Sequence, residues 1–302
     1  MHKKSSHNQK KDVLLSVTEE LPLMEFLIAQ LSHKSRDNIK SLLRNKQVWV
    51  DDQLVSQFNH PLQKGQTVKV SSSRSRAEKK FTDFTIVFED EYLIVIDKST
   101  GLLSMATDKE KSRNAYRMLS DYVKTQDRQN KIFIVHRLDR ETSGLMVFAK
   151  NEAIKKQLQE NWNGEETQKS YVALVEGKVE KQEGTIVSYL FEDRVFRMHS
   201  SPNPKKGQKA ITHYFVIEAS AAFSLLEVKI ETGRKNQIRV HMQELGHSIV
   251  GDKKYGAVSS PIRRLGLHAQ KLMFVHPVTS EKLTFETKVP SVFLSLLKRK
   301  YK

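Results

Sequence analysis

Hydrophobic residues in the first quarter of the chain recur at helical spacing and then give way to short apolar runs. Four of them fall three or four positions apart and predict a first amphipathic helix: Leu23, Phe26, Leu27 and Leu31. A second helix is predicted to begin near Ser35 or Asp37, since either residue can cap its first turn. Residues 48–50 and 67–70 are typical of short strands, and Asp51-Asp52 of a turn. These elements predict a small α/β domain over residues 16–70.

Beyond residue 80 the pattern is dominated by strands. Apolar runs at 86–88 and 93–96 flank an acidic turn, which predicts a β-hairpin. Further strands are predicted at 132–135, 171–175, 212–218, 225–230, 272–274 and 283–285. Helices are predicted at 118–123, at 151–162 with Asn151 as its cap, and at 238–245 with a stop at Gly246. Because helices do not regularly separate the strands, the pattern favours an α+β domain over a doubly wound parallel sheet.

A change in composition marks the boundary between the two parts. Residues 71–80 consist of serine, charged residues and one alanine, which is typical of a linker. The predicted organisation of the 302 residues is therefore a flexible basic tail at 1–15, a small domain at 16–70, a linker at 71–82 and a large domain at 83–302.

Charge points to a polyanionic partner. The chain carries 51 Lys and Arg against 35 Asp and Glu, a formal net charge of +16. The first 80 residues hold 15 basic and 8 acidic residues, so they are more basic per residue than the rest. Nucleic acid is the partner that such a surplus favours most.

Several classes of chemistry have no signal in the sequence. There is no cysteine, which excludes disulfides, cysteine zinc sites and thiolate nucleophiles. No glycine-rich phosphate loop, HExxH pair or GxSxG elbow is present, so neither a cofactor nor a metal is expected. No apolar run approaches the roughly 18–20 residues of a membrane span. The first residues are polar and basic rather than signal-like, and a cytoplasmic protein is expected.

Three segments carry candidate chemistry. In the first, a polar loop between two apolar strands places Asp139 between Arg137 and Arg140. A cationic neighbourhood favours an ionised carboxylate, and the arginines could contact phosphates. A salt-bridged hairpin tip is the structural alternative.

The other two segments each centre on one residue. Tyr171 begins a predicted strand and could equally be a core residue with a paired hydroxyl. Arg239 follows Ile238 directly and therefore points away from the apolar stripe formed by Ile238 and Met242. It could reach a buried carboxylate or a phosphate, or it could be a solvated surface arginine.

From Ile86 to about Pro290 the chain resembles the RluA-type pseudouridine synthases. The resemblance rests on several motifs in the family's order: His136-Arg137-Leu138-Asp139 with Thr142-Ser143-Gly144-Leu145, Lys169-x-Tyr171-x-Ala173-Leu174-Val175-x-Gly177, Gly233-Arg234-x-x-Gln237-Ile238-Arg239-Val240-His241, Gly246-His247, Val250-Gly251-Asp252-x-x-Tyr255-Gly256, Leu267-His268-Ala269 and His276-Pro277. Residues 21–70 are similar to an S4-type RNA-binding domain, by pattern rather than by a sharp motif.

The chain departs from the family's usual pattern at three places. Lys98-Ser99-Thr100-Gly101 stands where the family usually has Lys-Pro-x-Gly, and Lys235-Asn236 where Thr-His is common. In the S4-like segment Asp51-Asp52 stands where Asn-Gly is common. The departures lie beside the predicted catalytic residues and bear on substrate contacts more than on chemistry.

The resemblance implies a fold, an activity and a set of site residues. The fold would be the pseudouridine synthase fold, with a mixed, mainly antiparallel central sheet and flanking helices. The activity would be isomerisation of uridine to pseudouridine in RNA, without cofactor, through a flipped base. Asp139 would be the catalytic aspartate, Tyr171 would stack on the detached base or take the final proton, and Arg239 would hold Asp139 through a bidentate contact.

Further residues are expected to contact RNA or to shape the base pocket. Arg137 would fill the space of the extruded uridine or hold a phosphate, and Leu267 would form the apolar wall. The remaining predicted contacts are Arg140, Thr142, Gly144, Arg234, Gln237, Lys40 and Arg44. The expected substrate is large-subunit ribosomal RNA, with transfer RNA second, and the expected state is a monomer.

Two other functions compete with this interpretation. A non-catalytic RNA-binding or ribosome-assembly factor with a synthase-like fold would use the same positive charge. A ribosomal RNA methyltransferase with an S4 domain would need a glycine-rich loop for its methyl donor, and none is present. The presence of Asp139, Tyr171 and Arg239 together favours the enzyme over the binding factor.

Overall fold

The chain divides into two compact units, residues 1–80 and 81–302. The computed structural model describes residues 12–32, 34–44, 47–71, 81–108, 110–162, 164 and 166–298. Most of the predicted linker and most of the predicted tail therefore lie outside the described residues.

The N-terminal unit combines two helices with short antiparallel strands. Its elements are β1 Val13–Ser16, β2 Leu21–Pro22, α1 Leu23–Gln30, α2 Arg36–Arg44, β3 Val48–Val50, β4 Gln53–Leu54, β5 Pro61–Leu62 and β6 Thr67–Val70. The order of one sheet is β1-β6-β3-β4, and β2 pairs with β5. The two predicted helices are confirmed, and the Ser35 hydroxyl caps α2 by accepting a hydrogen bond from the Asn38 amide at 3.3 Å.

Two details of this unit bear on the sequence prediction. Asp51 and Asp52 both adopt positive φ, 46° and 65°, which builds the tight turn between β3 and β4. The predicted flexible tail, 1–15, is wrong for residues 13–15, because β1 pairs with β6 from Val13 to Ser16. This pairing spans more than fifty positions of the chain, and no local pattern reveals it.

The C-terminal unit holds most of the regular structure. Its strands are β7 Phe84–Glu89, β8 Leu93–Lys98, β9 Phe133–Ile134, β10 Ser143–Ala149, β11 Gln168–Glu176, β12 Glu183–Glu192, β13 Met198–Ser201, β14 Gln208–Ala219, β15 Phe223–Ile230, β16 Leu267–Val275 and β17 Lys282–Glu286. Its helices are α3 Ala115–Gln126, α4 Glu152–Glu160, α5 Gln237–Glu244 and α6 Ser291–Leu297.

The described strands of this unit form one eleven-stranded sheet. Its main order is β13-β12-β14-β15-β11-β16-β10-β8-β7, with β9 on β10 and β17 on β16. Among these pairs β10 and β16 run parallel and the others antiparallel. The prediction of an α+β domain with a mixed, mainly antiparallel sheet is confirmed.

The core lies on both faces of the sheet. Strand β10 is buried along its whole length, and its side chains alternate between two clusters. Met146 packs with Leu119 of α3 on one face, and Val147 packs with Leu158 of α4 on the other. The predicted cap of α4 is confirmed, because the Asn151 side chain accepts a hydrogen bond from the Ile154 amide at 2.8 Å.

Some elements were missed or misplaced by the pattern. Strands β12 and β13 were not predicted, since β12 is half exposed and buries only Ser188 and Leu190. Helix α4 ends at Glu160, two residues before the predicted end at Trp162. No helix among the described residues is long and apolar enough to cross a membrane.

Candidate active site

The loop between β9 and β10 carries Asp139 and is fixed from two sides. The Ser104 hydroxyl bonds the carbonyl and the amide of Leu138 at 2.7 and 3.1 Å. The buried ammonium group of Lys98 donates to the carbonyls of Leu102 and Arg140, at 2.8 and 3.3 Å. Lys98 and Ser104 thus support the loop of the predicted catalytic residue Asp139, which is called the catalytic loop below.

One oxygen of Asp139 receives both of the contacts that hold the side chain. The Asn236 amide nitrogen Nδ2 donates to Oδ2 at 2.5 Å, and Arg239 Nη1 donates to the same atom at 3.3 Å. No described residue donates a hydrogen bond to Oδ1 of Asp139. The side chain is about 25% exposed. One oxygen is therefore anchored while the other is left for a ligand.

Arg239 is held chiefly by a residue that the sequence analysis had quoted only as part of a motif. Its Nε and Nη2 atoms each donate to the Asp252 carboxylate at 2.7 Å, and that carboxylate is fully buried. Burial alone would lower the pKa of Arg239, but the hydrogen bonds and charge of Asp252, and then Asp139, raise the pKa above its usual value. The predicted bidentate contact with Asp139 is wrong, because the guanidinium fork is taken by Asp252. The solvated alternative is wrong too, since Arg239 is 12% exposed.

Tyr255 supports both groups that contact Asp139. Its hydroxyl accepts a hydrogen bond from the Met198 amide at 3.2 Å and donates to Asn236 Oδ1 at 3.1 Å. Because a backbone amide can only donate, the hydroxyl proton must point to Asn236, which turns the Asn236 NH₂ group toward Asp139. The ring of Tyr255 lies 5.0 Å from the Arg239 guanidinium carbon.

Tyr171 lies in β11 opposite Val228 of β15 and packs against two of the buried clusters. Burial, and then the nearby charge of Asp139, raise the pKa of its hydroxyl. Tyr171 is therefore a neutral phenol at neutral pH. Its hydroxyl forms no hydrogen bond with any described residue, which leaves it available to a ligand.

Asp139, Tyr171, Asn236 and Arg239 line a pocket of about 180 Å³. Its polar side is formed by the catalytic loop and the segment before α5, and its apolar wall by Ile230, Ile238 and Leu267. Eight of the predicted site residues line this pocket: Arg137, Asp139, Thr142, Tyr171, Arg234, Gln237, Arg239 and Leu267. The described residues contain no group of three or more His, Asp or Glu side chains placed to hold a metal ion.

Gly144 is a correction to the predicted RNA contacts. It is buried in β10 with φ +113°, opposite Ala269 of β16. A Cβ atom there would approach the Ala269 carbonyl oxygen to 2.2 Å. Gly144 permits the close approach of two strands, and its burial keeps it from touching RNA.

Gln237 is also corrected, although it lines the pocket. Its amide is 3% exposed and saturated with hydrogen bonds. It accepts from the Thr232 hydroxyl and the Arg234 amide, and it donates to the Ile211 carbonyl and the Thr212 hydroxyl. Gln237 therefore organises the segment before α5 and has no free group for RNA.

Three other predicted contacts are exposed side chains. Arg140 is exposed, and its Nε donates to the Gly101 carbonyl at 3.1 Å. Lys40 and Arg44 are exposed on α2 and belong to the N-terminal unit.

His136, in the same motif as Asp139, packs against the sheet. Its Nε2 accepts a hydrogen bond from the Val147 amide at 3.1 Å, and its ring stacks on Trp162 with 4.5 Å between centroids. Burial, and then the charge of Lys169, lower its pKa to about 3. The neutral ring holds the start of the catalytic loop against the sheet.

Comparison with known proteins places this site in a family. A family model described as RNA pseudouridylate synthase matches residues 92–244, a segment that includes Asp139, Tyr171 and Arg239. The chain is 32% identical over 262 residues to "Uncharacterized RNA pseudouridine synthase YhcT" of Bacillus subtilis, covering 85% of this chain and 86% of that one. It is 29% identical to "Ribosomal large subunit pseudouridine synthase D" of Nitrosomonas europaea, covering 97% and 89%.

Solved structures show the same fold. The human protein "RNA Pseudouridylate Synthase Domain Containing 4" superimposes with a TM-score of 0.58 at 24% identity, covering 69% of this chain and 90% of that one. With the sequence relatives, this shows that the chain belongs to the RNA pseudouridylate synthase family and is an isomerase that acts on RNA.

Proposed function

We propose that Asp139 carries out the chemistry on a uridine that has been flipped out of the RNA into the pocket. The observation that carries this proposal is the asymmetry of its carboxylate, with Oδ2 anchored and Oδ1 free of contacts from the described residues. Such a group can act as a nucleophile or as a base. The reaction breaks the bond from N1 of the base to C1′ of the ribose and forms a bond from C5 to C1′. C5 loses its proton and N1 gains one, so atoms and electrons balance without a co-reactant.

The pocket offers the rest of what a detached uracil needs. Ile230, Ile238 and Leu267 form an apolar wall, and Tyr171 lies beside Asp139 with a protonated hydroxyl. The ring of Tyr171 would stack on the base while the base rotates, or its oxygen would take part in the final proton transfer. A stacked uridine is out of reach of these groups, so flipping at a cost of a few kcal/mol is required.

The proposed substrate is large-subunit ribosomal RNA. Support comes from the name of the Nitrosomonas europaea relative, which matches nearly the whole chain. Transfer RNA is the second candidate. Mapping pseudouridines in total RNA from cells with and without this protein separates the two, because the lost site identifies the substrate.

The N-terminal unit is proposed to be an S4-like RNA-binding domain. The basic excess of the first 80 residues and the exposed Lys40 and Arg44 on α2 support this role. A cytoplasmic location and a monomeric state stay predictions.

The test is single-turnover isomerisation of a ribosomal RNA transcript by Asp139→Asn. We expect no pseudouridine, with RNA affinity within a few-fold of the wild type, because the amide keeps the shape and loses the charge. Glu141→Gln is the matched control, since it neutralises an exposed carboxylate in the same loop and should retain activity. Equal rates for Asp139→Asn and the wild type, or equal losses in both variants, would remove Asp139 from the mechanism. A wild type that binds this RNA without isomerising it would point to the wrong substrate or to the binding-factor alternative.

A further inference from the structure

The hairpin between β12 and β13 presents two apolar side chains to solvent at its tip. Val195 is 76% exposed and Phe196 is 71% exposed. The tip, residues 193–197, begins directly after Glu192 and ends directly before Met198, which pair with each other across the hairpin. Exposed apolar side chains of this size at a hairpin tip contribute little to a core, which leaves their presence there unexplained by folding.

The backbone of Phe196 is strained and firmly held. Its φ is +60°, a left-handed conformation that a bulky side chain rarely adopts. The Asp193 carboxylate accepts hydrogen bonds from the amides of Val195 and Arg197, both at 2.9 Å. His199 fixes that carboxylate through its other oxygen at 2.7 Å. Strain that the surroundings enforce in this way is typical of functional positions.

The tip lies beside two lysines, one of which lines the pocket. Lys235, which lines the pocket, has its ammonium group 5.7 Å from the centre of the Phe196 ring and forms an ion pair with Glu192. Lys254 donates to the Phe196 carbonyl at 3.0 Å. Lys235 immediately precedes Asn236, whose amide contacts Asp139. The Phe196 ring is therefore near Lys235, and Lys235 is the sequence neighbour of the residue that contacts the Asp139 carboxylate.

We propose that Phe196 is a stacking platform for an unpaired base of the RNA beside the uridine in the pocket, with Lys235 and Lys254 near the adjoining phosphates. This inference rests on the proposed function in that it takes the Asp139 pocket as the place of the target uridine. Aromatic rings flanked by cations are the usual means of binding single-stranded RNA, since each base offers a face for stacking. The positive charge beside the ring favours RNA over a second protein copy as the occupant.

Binding of two oligomers of equal charge provides the test. A single-stranded oligouridylate and an abasic RNA of the same length differ in bases but not in phosphates. Phe196→Ala should weaken binding of the oligouridylate by about tenfold, as expected for the loss of one stacked base. It should leave binding of the abasic RNA unchanged. Phe215→Ala, which truncates a 45% exposed phenylalanine on β14, is the matched control and should change neither affinity.

Two further variants separate stacking from a structural role. Phe196→Trp should bind like the wild type, and its indole emission should be quenched by the oligouridylate but not by the abasic RNA. Phe196→Gly should lose affinity as the alanine variant does, while its melting temperature stays equal or rises because glycine relieves the strained backbone.

Three results would overturn the proposal. They are unchanged oligouridylate affinity in Phe196→Ala, equal losses on both oligomers, or a lower melting temperature in Phe196→Gly together with unchanged affinity. A shift in oligomeric state of Phe196→Ala without loss of RNA binding would assign the ring to a protein interface instead. These outcomes leave the role of Asp139 untouched, because that role is tested by isomerisation in Asp139→Asn.

Discussion

At the scale of single residues, the position of the Asp139 carboxylate depends on two donors that meet at Oδ2. One is a guanidinium fixed by Asp252, and the other is the amide of Asn236 fixed by Tyr255. Asn236 is also the N-cap of α5, with φ +53°, a left-handed conformation that Asn, Asp and His tolerate best. The residue at this position therefore has to tolerate a left-handed backbone and also donate a hydrogen bond to Asp139.

Substitution of Asn236 tests whether its hydrogen bond to Asp139 is needed for the reaction. Asn236→Asp keeps the shape and the backbone preference, removes the donor and places a second carboxylate beside Asp139. The loss of a hydrogen bond to a charged group amounts to about 1.5–3 kcal/mol, so we expect a roughly 10–100-fold lower single-turnover rate before repulsion is added. Asn236→His keeps a nitrogen donor and should lie within about tenfold of the wild type.

The matched control is Lys235→Gln, which changes the preceding residue without altering any contact to Asp139. It should affect RNA affinity more than the rate at saturating RNA. If Asn236→Asp reacts as fast as Lys235→Gln under those conditions, the amide does not position the carboxylate.

The sequence predicted the candidate residues that line the pocket better than the residues that support them. Asp139, Tyr171 and Arg239 stand in motifs and could be named in advance. Tyr255 and Asp252 stand in a motif too, but their contacts join residues of separate loops and helices, and local spacing carries no information about such pairs. For Gly144 and Gln237 the motif predicts an RNA contact, whereas their contacts and burial show that each one holds the scaffold together.

At the scale of elements, the parallel pair β10 and β16 brings the catalytic loop to the apolar wall of the pocket. Gly144 permits this pairing, because its φ is +113° and a Cβ added there would come within 2.2 Å of the Ala269 carbonyl oxygen. We expect Gly144→Ala to lower the free energy of unfolding by on the order of 3 kcal/mol or more, measured by urea denaturation. Gly233→Ala is the control, since nothing lies within 4 Å of a Cβ there, and it should change stability by less than about 1 kcal/mol. Similar stabilities for the two variants would contradict the close-packing argument.

Completely buried strands were the easiest to predict, whereas partial burial hid β12, although it did not hide β17. The buried runs of β8, β10 and β11 stand out as apolar sequence, whereas β12 alternates between exposed and half-buried positions and blends with its surroundings. Helices α1 to α5 were predicted because caps and apolar stripes are local signals, as Asn151 illustrates, whereas α6 was missed.

At the scale of the whole molecule, three histidines buried in the C-terminal unit make its stability depend on pH. Burial is the largest cause that lowers the pKa of His136 to about 3 and those of His241 and His268 to about 4. Between these values and about 6.5 the unfolded chain binds more protons, so the free energy of unfolding falls as pH falls through that window. Each histidine should lower the free energy of unfolding by about 2 kcal/mol at pH 5 relative to pH 7.5.

The pH dependence of the free energy of unfolding of the C-terminal unit can be measured by urea denaturation. Trp162 emission reports on this unit once Trp49 is replaced by Phe. His241→Gln has no charge to gain, and it should lower the pH sensitivity by about one third. A free energy of unfolding that stays level between pH 7.5 and 5, or an unaltered pH response in His241→Gln, would show that these rings are not neutral in the fold.

The net charge of +16 attracts any RNA to the whole chain. The N-terminal unit is a dedicated RNA-binding domain only if its own side chains contact phosphates. Lys40→Gln with Arg44→Gln removes two exposed charges from α2, and if both meet phosphates the slope of log affinity against log salt should fall by about 1.5. The single-turnover rate at saturating RNA should not change, because neither residue lines the catalytic pocket. Lys124→Gln with Lys156→Gln removes the same charge from α3 and α4 and serves as the matched control. If the slope of log affinity against log salt falls equally in both double variants, the attraction depends on the total charge. The N-terminal unit is then not a dedicated RNA-binding domain.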